Sequence, residues 1–303
     1  MLRIGIDLGG SKIEGVVMDA SGAILERRRV ATPAGDYAAT LIAVTDLVRM
    51  LEDRCGERCQ VGIGTPGALS PTSGLLRNAN STCLNQRPLD RDLAAHLDRQ
   101  IRIANDADCF ALSEAVDGAA RGANSVFGVI IGTGTGGGLV IDGRLVKGPN
   151  AVAGEWGHNP LPWPSDAERP GPACYCGKYG CIETFLSGPG LARDYAGAAG
   201  TLSAEQIVQA AAAGDAAAES CLQRYEDRMA RSLACVINIM DPEIIVLGGG
   251  LSAIERLYRT VPQRWDRYVF SDVVSTRLLA PLHGDSSGVR GAAWLWPADM
   301  PAQ

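Results

Sequence analysis

The sequence lacks the features that mark secreted, membrane-spanning and nucleic-acid-binding proteins. No apolar run reaches the ~20 residues that cross a bilayer, and the opening MLRIGIDLGG has neither the charged region nor the long apolar core of a signal peptide. The formal net charge of -6 argues against a broad nucleic-acid surface, because such a surface needs clustered Lys and Arg. We therefore expect a cytoplasmic protein that binds neither a membrane nor a nucleic acid.

Redox motifs are missing as well. The nine cysteines include no C-x-x-C pair, and a reducing cytoplasm disfavours disulfides. Three of the cysteines cluster within residues 174–181 and need another explanation. The other six are expected to be small buried or incidental residues: Cys55, Cys59, Cys83, Cys109, Cys221 and Cys235.

The length of 303 residues is large for one hydrophobic core and favours two domains or two lobes. Apolar patterning and turn residues predict strands over 2–8, 12–19, 23–30, 60–67, 101–106, 243–250 and 276–280. Helices are predicted over 36–54, 92–100, 107–118, 187–197, 203–213, 216–240, 251–268 and 287–296, and Asp36 is the expected N-cap of the first. Strands and helices alternate, so the predicted fold class is α/β.

Two features of the strands carry further predictions. The basic stretch ERRRV, residues 26–30, is expected to be a solvated edge strand. Residues 4–25 and 128–146 resemble each other, since each places a glycine-rich turn after a first strand and an Asp-containing turn after a second. This internal similarity suggests two halves built on one plan.

Glycine-rich turns follow three of the predicted strands and suit a nucleotide. Glycine lets the backbone turn tightly near a ligand, and successive N–H groups in such a turn form a concavity for an anion. The third turn opens the helix predicted over 251–268, whose N-terminal dipole also suits a nucleotide. The candidate ATP-binding residues are Asp7, Gly9, Gly10, Ser11, Lys12, Gly132, Thr133, Gly134, Gly248, Gly249 and Gly250.

Individual side chains in these turns add to the ATP hypothesis. Asp7 is a candidate ligand of Mg²⁺, directly or through water, and the hydroxyls of Thr133 and Thr135 are available to phosphate. An ordinary hairpin turn explains any one loop alone, whereas three such loops together favour ATP. Neither the Walker A spacing nor GxGxxG occurs at a strand-to-helix junction, which disfavours P-loop and Rossmann folds.

Asn105 and Asp106 lie where a predicted strand gives way to a helix. A carboxylate there can take the proton of an attacking hydroxyl and orient it for in-line transfer. The alternative is that either residue only caps the helix. The segment NANSTCLN, residues 78–85, contains Asn80 and carries the amide and hydroxyl groups that a sugar requires, although a plain polar loop is the alternative.

The eight residues CYCGKYGC predict a metal site. Cys174, Cys176 and Cys181 have a C-x-C-x4-C spacing, and the glycines between them let the chain wrap around an ion. Thiolate-rich sites favour zinc, which takes four tetrahedral ligands. His158 is the nearest of the three histidines and supplies the fourth ligand. A closed site with three cysteines and one histidine has no open position, so we expect a structural Zn²⁺.

The motifs as a series resemble a known family. DLGGSK, TPG, NDADC, IGTGTGGG, GEWGH, CYCGKYGCIE and VLGGG occur in the order found in the ROK family of sugar kinases and repressors, over essentially the whole chain. The Glu-x-Gly-His and C-x-C-G-x-x-G-C-x-E motifs are the most specific part of the resemblance. Within the family, GHNPLPW, NANSTCLN and HGDSSGVRGAAWLWP are most similar to bacterial fructokinases of the manno(fructo)kinase type.

The resemblance implies an actin-like (ribonuclease H-like) two-domain ATPase fold with an active-site cleft between the lobes. It implies an N-terminal α/β domain of residues 1–118, completed by a C-terminal helix over 286–303, and a second α/β domain of residues 119–285 with the zinc-binding loop. It also implies a homodimer and a structural zinc on His158, Cys174, Cys176 and Cys181. Asp106 is implied as the catalytic base, and the implied sugar ligands are Asn80, Asn105, Asp106, Glu155, His158 and Glu183.

The expected reaction is transfer of the γ-phosphoryl group of MgATP to the 6-hydroxyl of D-fructose, with mannose as a second substrate. A glucokinase or an N-acetylglucosamine kinase of the same family is the main alternative, because hexose selectivity depends on a few loop contacts. A sugar-responsive transcriptional regulator is disfavoured, since the first phosphate strand begins at Leu2 and leaves no room for a DNA-binding module before it.

Two residues depart from the family's motifs. Ser11 stands where the family usually has Thr, but it keeps the hydroxyl. Asp108 stands where Asn is usual, next to the predicted base. A second carboxylate there would raise the pKa of Asp106 if it points inward.

Overall fold

The structure is a computed structural model that describes residues 1–199 and 201–297. Its contacts divide the chain into two compact units. The first unit contains Met1–Gly122, Gly138–Ala153 and the chain from Asp285 onward, and the second contains Ala123–Gly137 and Gly154–Gly284. The domain boundaries expected from the sequence stay a prediction.

Strands and α-helices alternate along the described residues, as predicted. The strands are β1 (Arg3–Leu8), β2 (Lys12–Met18), β3 (Ile24–Ala31), β4 (Gln60–Thr65), β5 (Ala68–Leu69), β6 (Leu76–Arg77), β7 (Ile101–Asn105), β8 (Ser125–Ile131), β9 (Thr135–Ile141), β10 (Arg144–Leu145), β11 (Ile244–Gly248) and β12 (Arg277–Leu279). The helices are α1 (Tyr37–Cys55), α2 (Leu89–Leu97), α3 (Asp106–Val116), α4 (Glu183–Leu186), α5 (Gly188–Ala199), α6 (Ala204–Ala212), α7 (Ala216–Met240), α8 (Leu257–Thr260) and α9 (Ser287–Trp294).

The two five-stranded sheets have matching strand orders. The first has the order β3-β2-β1-β4-β7, in which β1 pairs antiparallel with β2 and parallel with β4. The second has the order β10-β9-β8-β11-β12, in which β10 pairs antiparallel with β9, and β11 pairs parallel with β8 and β12. The matching orders agree with the internal similarity of the sequence. The short hairpin of β5 and β6 was not predicted.

Alternate residues of β1 face two different helices of the first unit. Ile4 and Ile6 belong to a buried apolar cluster that includes Leu41 and Val44 of α1. By contrast, a Cβ on Gly5 would lie 2.0 Å from a carbonyl oxygen of α9. Because successive strand residues point to opposite faces, α1 and α9 cover opposite faces of this sheet. A strand covered on both sides is apolar along its length, which explains the continuous apolar run at the start of the sequence.

The basic stretch ERRRV lies in β3, the edge strand of the first sheet, as predicted. Exposed and half-buried residues alternate along this strand. Arg29 donates a hydrogen bond of 2.6 Å from Nε to the buried carboxylate of Glu14 in β2, and Arg27 Nε lies 3.4 Å from the same carboxylate. A charged edge also discourages pairing with a further strand.

The predicted ends of other elements are mostly confirmed. The side chain of Asp36 accepts a hydrogen bond from the Ala39 N–H and so caps α1. The final helix is shorter than expected, because it ends at Trp294 and residues 295–297 are not helical; residues 298–303 of the helix expected over 286–303 lie outside the described residues. Among residues 1–199 and 201–297, none of the helices combines the length and the apolar character that a bilayer crossing requires. No disulfide links the nine cysteines, all of which are described.

The prediction of a continuous helix over 251–268 is wrong. The chain instead forms a 3-10 helix over Gly250–Ala253, the single turn α8, and a second 3-10 helix over Pro262–Arg267. Pro262 has no N–H to donate to the carbonyl four residues earlier, so an α-helix cannot continue through it. The apolar spacing of this segment resembles that of a helix because Leu257, Val261 and Trp265 are all buried.

The close packing of α9 on α3 makes Gly291 a test of the first unit. A Cβ on Gly291 would lie 1.6 Å from the Cys109 carbonyl oxygen, which is backbone and cannot rotate away. We expect Gly291→Ala to lower the free energy of unfolding by roughly 3 kcal/mol. Gly197→Ala in α5 is the matched control, since nothing lies within 4 Å of its Cβ position; it should raise stability by about 1 kcal/mol. Urea unfolding followed by circular dichroism measures both, and equal effects would contradict the packing.

Candidate functional site

The first glycine loop connects β1 to β2 and depends on a close backbone approach. The Gly9 N–H donates a 3.1 Å hydrogen bond to the Lys12 carbonyl, and a Cβ on Gly9 would lie 2.8 Å from that oxygen. Any other residue at position 9 would therefore push the turn open. The remaining candidates of the loop, Gly10, Ser11 and Lys12, are exposed.

Asp7 is the most perturbed carboxyl group near this loop. Burial, with the negative charges of Asp106 and Glu14, raises its pKa to about 6, and Lys12 opposes the rise. Glu14 lies opposite Asp7 on β2 and forms ion pairs with Arg27 and Arg29, two of the three arginines of β3. Acidic side chains gathered in this way repel one another, and a divalent cation would relieve that repulsion. Asp7 therefore stays the candidate Mg²⁺ ligand of this loop.

Asn105 ends β7 and Asp106 begins α3, so the predicted strand-to-helix junction is confirmed. The Asn105 side chain caps the helix, since its oxygen accepts a 2.8 Å hydrogen bond from the Ala107 N–H. Its Nδ2 donates to the Gly67 carbonyl at 3.1 Å. The capping alternative is therefore confirmed for Asn105. Its side-chain oxygen and one of its amide hydrogens already form hydrogen bonds within the protein.

Asp106 is exposed at the first position of α3. One of its carboxylate oxygens accepts a 2.8 Å hydrogen bond from the Ala107 N–H, and a helix N-terminus attracts a negative charge. Asp108 is half-buried within the first turn of the same helix. The junction thus presents Asp106 to solvent in a fixed orientation.

Asn80 lies beside the first glycine loop. A cavity of about 410 Å³ in the first unit is lined by Gly9 and Gly10 on one side and by the segment of residues 80–84 on another. Asn85 holds this segment in place, because its amide accepts from the Ala79 N–H and donates to the Ala79 carbonyl, both at 2.9 Å. The structure therefore brings a predicted phosphate loop and a predicted sugar-binding residue to one cavity.

The second glycine loop, between β8 and β9, contacts Glu183. The Thr135 N–H donates a 3.0 Å hydrogen bond to Glu183 Oε2, and a Cβ on Gly134 would lie 2.7 Å from the same oxygen. Glycine at position 134 therefore admits the carboxylate. Thr133 is exposed, whereas Thr135 is buried. Both hydroxyls were expected to be available to phosphate, and only that of Thr133 is exposed.

The third glycine loop follows β11 at the same sheet edge as the second. Gly248 pairs with β8, and a Cβ on Gly249 would lie 2.5 Å from the Ile131 carbonyl at the end of that strand. The expectation that Gly250 opens an α-helix is wrong, because only a four-residue 3-10 helix follows. No α-helix dipole therefore stabilises an anion at this loop, and only the backbone N–H groups of the loop are available to bind one.

The four predicted metal ligands converge in the second unit. One donor atom from each of His158, Cys174, Cys176 and Cys181 lies within 4.8 Å of all the others. His158 Nδ1 is 3.6 Å from Cys174 Sγ, and the Sγ atoms of Cys176 and Cys181 are 3.6 Å apart. Tetrahedral zinc–sulfur bonds place sulfurs roughly 3.8 Å apart, so this donor set fits zinc.

Two of the predicted sugar ligands lie near this cluster in sequence. Glu155 is exposed just before the 3-10 helix Trp156–His158, and Glu183 begins α4 two residues after Cys181. The turn that carries the cysteines is closed by a 2.8 Å hydrogen bond from the Cys174 N–H to the Lys178 carbonyl.

Tyr175 is a member of this group that the sequence reasoning missed. Its hydroxyl lies 2.8 Å from His158 Nε2, and the two rings meet edge to face with centroids 5.0 Å apart. Although the residue as a whole is exposed, partial desolvation of the hydroxyl group, with the negative charges of Glu183 and Glu155, raises the pKa of Tyr175 to about 12. The available signal was its position between two predicted metal ligands, which keeps any side chain there close to the cluster.

Comparison with known proteins gives full-length matches. The ROK family matches residues 3–299. The chain is 41% identical over 294 residues to the N-acetylgalactosamine kinase AgaK of Shewanella sp. (strain ANA-3), covering 96% of this chain and 95% of that protein. It is 42% identical over 298 residues to the N-acetyl-D-glucosamine kinase of Erwinia tasmaniensis, covering 96% and 98%.

A solved structure gives the same result for the fold. The crystal structure of the ROK hexokinase from Thermus thermophilus superposes with a TM-score of 0.86 at 31% sequence identity, covering 97% of each chain. The predicted actin-like, two-domain α/β fold is thereby confirmed.

The raised pKa of the half-buried Asp7 gives the protein a pH-dependent stability. Its pKa of about 6 exceeds the ordinary value of 3.8, so the folded state holds this proton more tightly than the unfolded chain. The resulting stabilisation is fully present below the ordinary pKa and is lost as the pH rises through about 6. We expect Asp7→Asn to raise the free energy of unfolding by roughly 3 kcal/mol at alkaline pH in metal-free buffer, with a gain that shrinks in acid.

Urea unfolding across this pH range measures the effect. Asp53→Asn, at an exposed carboxylate of the same unit, is the control and should follow the wild type throughout. A gain for Asp7→Asn that does not vary with pH would contradict the assignment.

Proposed function

The chain belongs to the ROK family, and we propose that it is a sugar kinase that transfers the γ-phosphoryl group of ATP to the 6-hydroxyl of a hexose. The observation that carries this proposal is the full-length similarity, at 41 and 42% identity, to two kinases of N-acetylated hexosamines. The same similarity favours a kinase over a sugar-responsive regulator. The homodimer stays a prediction.

For the sugar, these relatives favour an N-acetylated hexosamine. Of the two alternatives expected from the sequence, a glucokinase and an N-acetylglucosamine kinase, they support the second. The relatives do not support fructose specifically. Fructose remains the second candidate because GHNPLPW, NANSTCLN and HGDSSGVRGAAWLWP are most similar to bacterial fructokinases. These three segments cover few residues, whereas the similarity to the hexosamine kinases spans 96% of the chain.

Asp106 is the proposed general base. As the hydroxyl oxygen of the sugar forms its bond to the γ-phosphorus, the bond from that phosphorus to the leaving oxygen of ADP breaks, and Asp106 accepts the hydroxyl proton. The carboxylate is exposed, and its hydrogen bond to the Ala107 N–H fixes its orientation. Most of the rate gain in such a reaction comes from positioning the reactants and from stabilising the phosphoryl charge.

The proposed sugar ligands are polar groups with hydrogen-bonding capacity to spare. Asn80 is exposed at the cavity beside the first glycine loop. Asn105 can contribute only what its capping role leaves, namely one amide hydrogen and part of the oxygen. Glu183 accepts a hydrogen bond from the Thr135 N–H through Oε2, so its other carboxylate oxygen is the candidate sugar contact. Glu155 and His158 complete the proposed set.

The three glycine loops are the proposed phosphate-binding elements, and Asp7 with Asp106 is the proposed Mg²⁺ region. When bound, Mg²⁺ would neutralise charge on the phosphates. The raised pKa of Asp7 supports this assignment, because a carboxyl group destabilised by burial and like charges gains most from a cation. Lys12 adds a positive charge to the same loop.

We also propose a structural zinc on His158, Cys174, Cys176 and Cys181. The fit of the four donor atoms supports it, and a set of four protein ligands leaves no position for substrate. Such an ion would anchor the segment between Glu155 and Glu183. It would act on the reaction only through the positions of these residues.

The substrate proposal is tested with a coupled ADP assay across N-acetylglucosamine, N-acetylgalactosamine, fructose, mannose and glucose. We expect the highest kcat/KM for one of the two acetylated sugars. Fructose as the best sugar would select the second candidate, and activity on none of them would refute the kinase proposal. Asp106→Asn should lower kcat by about 10²- to 10⁴-fold while sugar binding persists.

The zinc proposal predicts one ion per chain, measured by elemental analysis of the purified protein. Cys181→Ser should lose the ion. Cys83→Ser, which changes a half-buried cysteine of the first unit, should keep it. Graded removal of zinc with a chelator should raise the sugar KM by up to about tenfold, the worth of one hydrogen bond, before the ATP KM changes.

Two results would contradict this prediction. Wild-type protein without zinc would refute the site. Zinc loss with an unchanged sugar KM would refute the link between the ion and the sugar.

A further inference from the structure

The two ring nitrogens of His158 have different neighbours in the second unit. Nδ1 faces the cysteine cluster, 3.6 Å from Cys174 Sγ. Nε2 faces the Tyr175 hydroxyl at 2.8 Å. The proposed function needs a His158 nitrogen for the sugar, and Nε2 is the one turned away from the cysteines. A protein hydroxyl therefore already occupies the position at which a sugar hydroxyl would bind.

The chemistry of the Tyr175 hydroxyl matches that of a sugar hydroxyl. Each has one O–H donor and an oxygen with two lone pairs. A histidine that binds a metal through Nδ1 carries its proton on Nε2 and donates it to an outer acceptor. The Tyr175 oxygen is such an acceptor, and a sugar oxygen can replace it without changing the protonation of the ring.

The surroundings of Tyr175 let it leave this position easily. Its side chain is 76% exposed, so few packing contacts are lost when it rotates away. Its hydroxyl end feels the negative charges of Glu183 and Glu155, the two carboxylates that we propose as sugar ligands.

We propose that the Tyr175 hydroxyl is a placeholder that occupies Nε2 of His158 in the sugar-free protein and is displaced by a sugar hydroxyl. Tyr175 is then a positioning residue for His158. Its hydrogen bond to Nε2 must break when the sugar binds, which lowers the affinity for the sugar. This inference rests on the proposed sugar-kinase function.

The test compares Tyr175→Phe with Tyr179→Phe. The first substitution keeps the exposed aromatic ring and removes only the hydroxyl, so the packing of the turn is preserved. Tyr179 is a suitable control because it lies in the same turn, is 63% exposed, and has no hydroxyl hydrogen bond among the described residues. Both variants should keep the zinc content of the wild type.

We expect Tyr175→Phe to lower the dissociation constant and the KM of the sugar by about two- to tenfold, the range of one hydrogen bond. The kcat and the ATP KM should stay unchanged, and Tyr179→Phe should match the wild type. The dissociation constant is measured by calorimetry without ATP, using the sugar with the highest kcat/KM or, if none is turned over, each sugar of the panel.

An unchanged sugar dissociation constant in Tyr175→Phe would overturn the inference, and so would a weaker one, which would make Tyr175 a sugar ligand. If the wild type binds a sugar but does not phosphorylate it, the kinase proposal fails while calorimetry still decides the role of Tyr175. If the wild type binds no sugar, both proposals fail.

Discussion

The convergence of His158, Cys174, Cys176 and Cys181 within 4.8 Å is the constraint on which the candidate site of the second unit depends. The segment that contains them is irregular, with short 3-10 helices and isolated bridges in place of a sheet. Such a segment has few ladder hydrogen bonds to define its path. Side chains gathered around one point define the path instead, because each ligand restricts the residues on either side of it.

Apart from the glycine loops, the functional candidates of this unit lie within three residues of a predicted metal ligand. Glu155 precedes His158 by three residues, Tyr175 lies between two cysteines, and Glu183 follows Cys181 by two. None of these three side chains is deeply buried, so packing alone would leave them mobile. Their placement therefore depends on the cluster, and Glu183 gains a second restraint from the Thr135 N–H.

The first unit is constrained by charge instead. Asp7 is half-buried, and desolvation with the negative charges of Asp106 and Glu14 raises its pKa to about 6. Glu14 is compensated by arginines from β3, whereas Asp7 has Lys12 as its opposing charge. A fold selected for stability alone would replace this carboxylate. Its presence at the end of β1, next to a glycine turn, is typical of a group kept for a ligand.

Local pattern was enough to predict most of the fold. The apolar runs, the Asp36 cap and the repeated strand–turn–strand unit depend on residues close in sequence, and the structure contains all three. The helix predicted over 251–268 failed because apolar spacing is shared by helices and by irregular segments that bury the same side chains. Pro262 was the contrary signal, since it removes a donor that the helix needs.

The candidate site was less predictable because its contacts join distant parts of the chain. The residue types of the metal cluster follow from spacing, but the hydrogen bond from Thr135 to Glu183 spans 48 residues. Asn105 shows a different limit, since an amide at a strand-to-helix junction suits a cap and a ligand equally well, and only the geometry shows the cap. Tyr175 was missed because a tyrosine beside a cysteine motif is not a motif itself.

His158 is a member of the cysteine cluster and also a proposed sugar ligand, so the number of bonds that its ring can make limits both roles. A neutral imidazole has one N–H and one lone pair, and therefore two directional partners. Under the proposed function, three groups would compete for these two positions: a metal, the Tyr175 hydroxyl and a sugar. If the metal holds Nδ1, the tyrosine and the sugar must exclude each other at Nε2, however strongly either one binds. The proposed ion would thereby influence sugar binding without taking part in the chemistry, because it would decide which nitrogen of His158 is left for the sugar.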